Sequence, residues 1–123
     1  MEKIYTTAAP QAIGPYSQAV AIGNLLFISG QGGINPSNGT VVDGLEAQTE
    51  QAIKNIGAIL DEAGSDLTKV IKTTCFLTDM RDFKIFNEVY EKYFTEKPAR
   101  SCVAVKELPL SILCEIEAIA SLE

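Results

Sequence analysis

Two carboxylates near the carboxyl end of the chain are the first residues whose spacing indicates chemistry. Glu115 and Glu117 are separated by one residue within an alternating run from Leu113 to Leu122. In a β-strand, which rises about 3.4 Å per residue, they lie on the same face and about 7 Å apart. A carboxylate can orient and deprotonate water, but exposed charges on one face of an antiparallel strand are ordinary. A solvated strand face is therefore the alternative for both residues.

A second group of candidates has one basic and several neutral members. Arg100 and Cys102 share one side of a predicted strand, and an arginine can hold a planar carboxylate through two parallel hydrogen bonds. A surface cation or an interface salt bridge is the alternative for Arg100, and packing as a small apolar residue is the alternative for Cys102. Tyr16 can equally fill a turn, and Asn87 can equally be an exposed helix residue.

The chain contains no histidine, which removes the commonest general base, the commonest zinc ligand and every Ser-His or Cys-His pair. The three cysteines, Cys75, Cys102 and Cys114, form no CxxC pair and are odd in number, as expected of reduced thiols in the cytosol. Neither GxxxxGK[ST] nor GxGxxG is present. Acid-base chemistry must therefore use carboxylates, Tyr, Lys, Cys or water, and we expect no metal site.

Charge and hydropathy exclude further classes of function. The 16 acidic and 10 basic residues give a net charge of -6, which opposes attraction to nucleic acids and to anionic membranes. The first residues show no charged-then-apolar signal pattern, and no apolar run reaches the roughly 18 to 20 residues that span a bilayer. We expect a cytoplasmic protein that binds neither nucleic acid nor membrane.

The elements that must position these residues follow from periodicity. A chain of 123 residues, 46% of them hydrophobic, predicts one domain over 1–123 with a single core. Two strands, Ser17 to Gly23 and Leu25 to Gln31, are joined by a hairpin at Gly23-Asn24, and residues 32–40 form a surface loop. A helix runs from about Leu45 to Ala63 and stops at Gly64.

The second half of the chain repeats the alternation of strand and helix. A strand from Lys69 to Thr78 places Ile71, Thr73, Cys75 and Leu77 on one side. A second helix begins near Asp79 or Met80, and Pro98 closes the region. Its apolar stripe consists of Phe83, Phe86, Tyr90, Tyr93 and Phe94. Two final strands, Arg100 to Lys106 and Leu113 to Leu122, form a pair, and in the latter Cys114 and Ile116 face the core. The order predicts an α/β sheet with helices on one face.

Four separated segments carry a family resemblance. They are IGPYSQA at 13–19, ISGQ at 28–31, PARSCV at 98–103 and EIEAIA at 115–120, supported by EAQTEQAIKNI at 46–56 and KTTCFLTDM at 72–80. In order and spacing the chain resembles, over nearly its whole length, the Rid family of reactive-intermediate deaminases. These are small enzymes that hydrolyse 2-imino acids to 2-keto acids and ammonia without a cofactor. Four motifs in one order are more specific than any single one.

The resemblance implies a single mixed sheet with two helices on one face, similar to chorismate mutase, and a homotrimer with clefts between subunits. It implies that Arg100 binds the substrate carboxylate and that Glu115 handles the attacking water. The other implied cleft positions are Tyr16, Ser29, Gly30, Asn87 and Cys102, with Glu117 structural. The implied substrates are 2-iminopropanoate and 2-iminobutanoate, released by pyridoxal-phosphate-dependent dehydratases acting on serine and threonine.

Two other functions stay open on the sequence. One is a regulatory trimer that binds small carboxylates without turnover. The other is a ribonuclease or translation inhibitor, a role attached to some relatives, which the acidic charge and the missing histidine oppose. The chain departs from the family pattern at Gly32-Gly33 and at Lys97, which directly precedes Pro98. We expect these departures to affect substrate size preference and loop mobility.

Overall fold

In the computed structural model, which describes residues 1–123, β-branched and aliphatic runs form strands, and the two segments of helical periodicity form helices. The strands are β1 (Glu2–Ile4), β2 (Ala19–Ile22), β3 (Leu25–Gly32), β4 (Val70–Leu77), β5 (Ala99–Ala104) and β6 (Cys114–Ser121). The helices are α1 (Leu45–Glu62) and α2 (Phe83–Tyr93), with short 3-10 turns at Leu67–Lys69, Met80–Asp82 and Pro109–Ser111. Neither α-helix is long and apolar enough to cross a membrane.

The six strands form one mixed sheet in the order β1-β2-β3-β6-β4-β5, in which only the β4–β5 pair is parallel. The predicted hairpin is confirmed, since Ile22 pairs with Leu25 across a turn in which Gly23 has a φ of 57°. The predicted pairing of the last two strands is wrong. The chain crosses over through α2, so β5 lies parallel to β4 at the sheet edge, and β6 returns to the centre.

Both helices pack on one face of this sheet, as predicted. The helix α1 buries an aliphatic stripe that includes Ile53, Ile56 and Leu60, and it ends before Gly64, whose φ of 80° is the left-handed conformation of a helix stop. The helix α2 contributes Phe86 and Tyr90 to the same core. That core holds the side chains that alternate inward along β3, β4 and β6.

Two local features of the sheet differ from what the sequence predicts. Alternation predicts Ile71 on the same side of β4 as Thr73, Cys75 and Leu77, but those three are buried, whereas Ile71 is 46% exposed and Val70 is buried instead. The pairing of β4 with β6 shifts register between Val70 and Lys72, which is a β-bulge that turns Ile71 outward. The edge strand β1 was not predicted. Its three residues gain strand geometry only by pairing with β2.

The second face of the sheet is uncovered within one chain. Phe27 on β3 is 43% exposed and Val103 on β5 is 46% exposed, and Glu117 projects from the same face of β6. The alternation predicted for β6 is confirmed, because Cys114 and Ile116 are buried while Glu115 and Glu117 face away from the helices. The open face therefore mixes apolar and acidic groups.

Candidate active site

Glu115 occupies a half-buried position near the middle of the sheet. It follows Cys114 at the start of β6, so it points away from the helices. Burial raises the pKa of this carboxyl above its ordinary value, and the negative charge of Glu117 adds to the effect. No lysine or arginine forms a salt bridge with it. A carboxylate of this kind binds protons more readily than an exposed one, as a general base near neutral pH requires.

Gly30 provides the space that the Glu115 side chain occupies. A Cβ atom built on Gly30 would lie 2.8 Å from both the carboxyl carbon and Oε1 of Glu115. The register of β3 against β6 shifts between Ile28 and Gln31, so a bulge in β3 falls at this point. Bulges are frequent next to active sites because they change the direction of the backbone and its side chains. The bulge and the missing side chain together make room for the carboxylate.

A cavity of about 610 Å³ opens beside Glu115, which is within the usual size of a small-molecule site. Tyr16, Gly30 and Glu115 line it, so the structure brings three of the sequence-predicted residues together. Most of the remaining wall is apolar and includes Ile34, Leu110 and Ile112. The Tyr16 hydroxyl accepts a weak hydrogen bond of 3.4 Å from the backbone of Ile13. The cavity therefore offers one carboxylate in a largely apolar surrounding.

The amino-terminal wall of this cavity depends on Gln18, whose role was not evident from the sequence. Its side chain is 2% exposed, and its Nε2 donates to the carbonyls of Thr6, Ala9 and Pro10. Its Oε1 accepts from the Thr6 backbone N–H at 2.8 Å. The buried side-chain amide of Gln18 thus holds residues 6–10, which form no helix or strand, in place. The only sequence signal was its place in the IGPYSQA motif.

Ser29 does not line the Glu115 cavity. Its hydroxyl donates to the Ser17 carbonyl at 2.6 Å, and its backbone N–H donates to the Gln18 carbonyl at 2.9 Å. It borders a shallower depression of about 370 Å³ on the open sheet face, together with Lys72 and Glu117. The hydroxyl of Ser29 therefore serves to hold β3 against the segment before β2.

The two unusual glycines have a packing explanation. A Cβ atom on Gly33 would lie 2.5 Å from the Cα atom of Gln48 in α1, and one on Gly32 would lie 2.5 Å from Cδ1 of Ile112. Gln48 in turn accepts a hydrogen bond from the Leu113 backbone N–H at 2.7 Å. Glycine at position 33 therefore lets the chain after β3 approach α1 closely, and glycine at position 32 lets β3 approach the segment that precedes β6. Gly32 also lines the cavity.

Arg100 forms a second centre on the helix side of the sheet. Its Nη1 donates to Oδ1 of Asn87 at 2.7 Å. Its guanidinium carbon lies 4.9 Å from the centre of the Tyr90 ring and 5.5 Å from that of Phe83. No carboxylate forms a salt bridge with Arg100. The guanidinium therefore keeps donors available for an anion, and it brings together two of the sequence-predicted residues, Arg100 and Asn87.

Cys102 lies two residues beyond Arg100 on the same side of β5 and is half-buried. Burial raises the pKa of its thiol, although the positive charge of Arg100 partly opposes the effect. A thiol of this kind stays protonated near neutral pH, so it suits a role in lining the site better than one as a nucleophile. No three Cys, Asp or Glu side chains cluster as a metal site would require.

The Arg100 and Glu115 centres do not meet within one chain. Arg100 is aligned with Thr73 in the β4–β5 register, and Thr73 is buried beneath α2. Glu115 is aligned with Phe76 and points to the opposite face. The sheet lies between the two groups, so a single chain does not bring them together. The fold and site define an α/β protein, with two helices on one mixed sheet, whose cavity surrounds one carboxylate.

Comparisons with known proteins agree with this class. The family model described as Endoribonuclease L-PSP matches residues 6–122. The chain is 50% identical over 123 residues to Reactive Intermediate Deaminase A, chloroplastic, of Arabidopsis thaliana, which covers 98% of this chain and 66% of that protein. The chain therefore belongs to the Endoribonuclease L-PSP family, in which its resemblance to Rid proteins is confirmed.

Solved structures give the same result for the fold. RidA from an Antarctic Psychrobacter is 43% identical, with a TM-score of 0.96 over 98% of this chain and 99% of that chain. TdcF of E. coli, solved with bound serine, is 42% identical, with a TM-score of 0.95 over 98% of both chains. The predicted fold of one mixed sheet with two helices is confirmed.

Proposed function

We propose that this protein hydrolyses reactive 2-imino and enamine acids to 2-keto acids and ammonia. The observation that carries the proposal is the half-buried Glu115 carboxylate, which has a raised pKa, no cationic partner and a cavity beside it. The name of the Arabidopsis relative, a reactive intermediate deaminase, supports the same class of reaction. In this proposal Glu115 is the general base and Arg100 binds the substrate carboxylate.

The role of Arg100 follows from its uncharged surroundings. Asn87, Tyr90 and Phe83 hold the guanidinium without neutralising it. A guanidinium can bind a planar carboxylate through two parallel, charge-assisted hydrogen bonds, which fix orientation as well as position. A 2-imino acid presents such a carboxylate next to its reactive carbon. Binding at Arg100 would therefore place the imine carbon at a defined distance from the guanidinium.

For Arg100 and Glu115 to act on one substrate, they must come from different copies of the chain. Each copy carries both groups on opposite faces of its sheet, and its open face exposes apolar side chains such as Phe27 and Val103. We propose a homotrimer in which each cleft joins Arg100 of one subunit to Glu115 of its neighbour. Burial of the open face would supply the hydrophobic stabilisation of the assembly.

The proposed reaction needs one acid-base group. Ionised Glu115 accepts a proton from water as its oxygen adds to the imine carbon, and the C=N double bond becomes a single bond. Glu115 returns this proton to nitrogen, which completes the carbinolamine. It then accepts the proton of the carbinolamine hydroxyl and passes it to nitrogen as the C–N bond breaks, so the carbonyl forms and ammonia leaves. Free imines already react with water, so positioning and one general base, worth about 10²- to 10⁴-fold, are sufficient.

We propose 2-iminopropanoate and 2-iminobutanoate as substrates. Pyridoxal-phosphate-dependent dehydratases in the cytoplasm would release them from serine and threonine, and the cofactor would belong to those enzymes.

The test combines a threonine dehydratase, threonine and semicarbazide, which traps the imine. Added protein should increase 2-oxobutanoate and decrease the trapped product. Arg100→Ala should abolish the effect, whereas Arg81→Ala, at an exposed arginine paired with Asp79, should retain it. Equal rates with and without the protein would contradict the proposal.

The TdcF structure with bound serine favours one alternative, a trimer that binds small amino or keto acids without turnover. Calorimetry that detects 2-oxobutanoate binding in the wild type but not in Arg100→Ala, together with no acceleration of hydrolysis, would favour this binding function.

The family description also names an endoribonuclease. The net charge of -6 and the absence of histidine oppose that activity, and intact RNA after incubation with purified protein would exclude it.

A further inference from the structure

Tyr90 and Thr73 form a buried pair directly beneath Arg100. We propose that Tyr90, fixed in place by Thr73, is a positioning residue that orients the Arg100 guanidinium toward a substrate carboxylate. The inference rests on the proposed function, because it concerns the carboxylate clamp of that site. It assigns a role to two residues that a reading of the sequence places in the core.

The Tyr90 ring is held on several sides. Its side chain is 8% exposed, and the ring stacks on Phe94 with a centroid distance of 4.4 Å and an interplanar angle of 29°. Its hydroxyl forms a hydrogen bond of 2.7 Å with Oγ1 of Thr73. Packing against Phe94 limits tilting of the ring, and the hydroxyl contact limits sliding. Core packing alone would require neither the hydroxyl pair nor a ring beneath a cation.

Thr73 is placed to transmit strand geometry to the ring. It is fully buried on β4 and is the register partner of Arg100 on β5. The strand β5, which positions Arg100, is therefore paired at this point with β4, which carries Thr73, the hydrogen-bond partner of Tyr90. The pair links the ring directly to the strand next to the arginine.

The ring and Asn87 restrict the guanidinium together. The Arg100 guanidinium carbon lies 4.9 Å from the Tyr90 centroid, within the range of a cation-π interaction, while Asn87 accepts from Nη1 at 2.7 Å. Both partners are neutral, so the positive charge stays available to an incoming anion. A carboxylate in place of Asn87 or of the Tyr90 ring would compete with the substrate for the N–H donors of Arg100. The arrangement orients the guanidinium without occupying it.

The test measures binding of 2-oxobutanoate to the assembled protein by calorimetry, and kcat for imine hydrolysis at saturating substrate. Tyr90→Leu should raise Kd about fivefold, from the loss of a cation-π interaction, and should leave kcat within about twofold. Tyr90→Phe retains the ring and should restore most of the affinity. Thr73→Val should raise Kd about threefold, since it leaves the Tyr90 hydroxyl without its partner.

The double variant Thr73→Val with Tyr90→Phe removes both hydroxyls and should bind more tightly than Thr73→Val alone. A folded Tyr90→Leu variant with unchanged Kd would overturn the inference, as would an equal fall in kcat and affinity. If Tyr90→Leu fails to fold, unchanged Kd in Thr73→Val overturns it instead. If Arg100→Ala itself binds 2-oxobutanoate normally, the carboxylate clamp of the proposed function fails, which is a distinguishable result.

Discussion

Arg100 and Glu115 point to opposite faces of the same sheet. Arg100 is aligned with the buried Thr73 on β4 and contacts α2, whereas Glu115 alternates with the buried Cys114 on β6 and faces the open side. A reaction that uses both groups therefore needs two copies of the chain. This relationship distinguishes a shared site from one contained within a single chain, and complementation can test it.

Mixing two inactive variants should restore activity. In Arg100→Ala the Glu115 half of each cleft is intact, and in Glu115→Gln the Arg100 half is intact. When equal amounts of the two variants exchange freely, each cleft takes its Arg100 from one subunit and its Glu115 from the neighbour. Each of these residues is intact in about half of the subunits, so about a quarter of the clefts contain both. The assay is imine hydrolysis after co-refolding, compared with either variant refolded alone. A mixture that stays inactive, although mass spectrometry detects mixed trimers, would contradict the shared site.

Glu115→Gln should lower the hydrolysis rate about 10²- to 10⁴-fold and should stabilise the fold at neutral pH. The raised pKa of Glu115 means that the folded state binds its proton more tightly than the unfolded chain does. Wild-type stability therefore falls as pH rises from the ordinary value of 4.5 through the raised one, and stays lower above it. Thermal unfolding should show the variant more stable at pH 7, with the difference vanishing below about pH 4.5.

Glu117→Gln is the matched control and carries a prediction of its own. Glu117 is exposed two residues along β6, and its charge contributes to the raised pKa of Glu115. Removing that charge should keep most of the activity and move the acidic limb of the pH-rate profile to lower pH. An unmoved limb would mean that another group controls the profile.

Structure that depends on neighbours along the chain was predictable from the sequence. The Gly23-Asn24 hairpin, the periodicity of α1 and the alternation of Cys114 and Glu115 each depend on neighbours along the chain, and all three are confirmed. Ile71 was misplaced because a bulge arises from the pairing of β4 with β6, which alternation within one strand does not reveal. The strand β1 likewise forms only through its pairing with β2, which its own three residues do not reveal.

The candidate site was predictable only in part, for the same reason. Motif resemblance named Arg100 and Glu115, and alternation along β6 predicted the face of Glu115, but nothing local to Arg100 shows that it lies on the opposite face of the sheet. Tyr90 belonged to an apolar stripe and therefore resembled any core aromatic. Its position beneath Arg100 follows from tertiary packing of α2 over β5. Gln18 stabilises the cavity wall through carbonyls that the chain brings close only on folding.

Gly30→Ala should impair catalysis more than stability. The added Cβ would lie 2.8 Å from the Glu115 carboxyl carbon, so the flexible carboxylate must move while the backbone stays in place. A displacement of about 1 Å can cost on the order of 10²-fold in rate. Gly57→Ala in α1 is the control, since nothing beyond the neighbouring helix backbone lies within 4 Å of its added Cβ, and the variant should gain roughly 0.5 to 1 kcal/mol in the free energy of unfolding. Steady-state kinetics and urea unfolding of both variants check the pair. Full activity in Gly30→Ala would show that the carboxylate position is not critical.

Lys97→Gly should stabilise the protein, although lysine to glycine usually does the reverse. Lys97 has a φ of 51°, a left-handed conformation that costs a residue with a Cβ roughly 1 to 2 kcal/mol. Its side chain is exposed, and its backbone N–H keeps the hydrogen bond to the Phe94 carbonyl in either variant. After the added freedom of the unfolded chain is subtracted, the expected gain is about 0.5 to 1 kcal/mol. Lys92→Gly, in the last turn of α2, should instead lose about 1 kcal/mol. Urea unfolding of the two variants should therefore shift in opposite directions, and a loss in both would show that the turn before Pro98 is not strained.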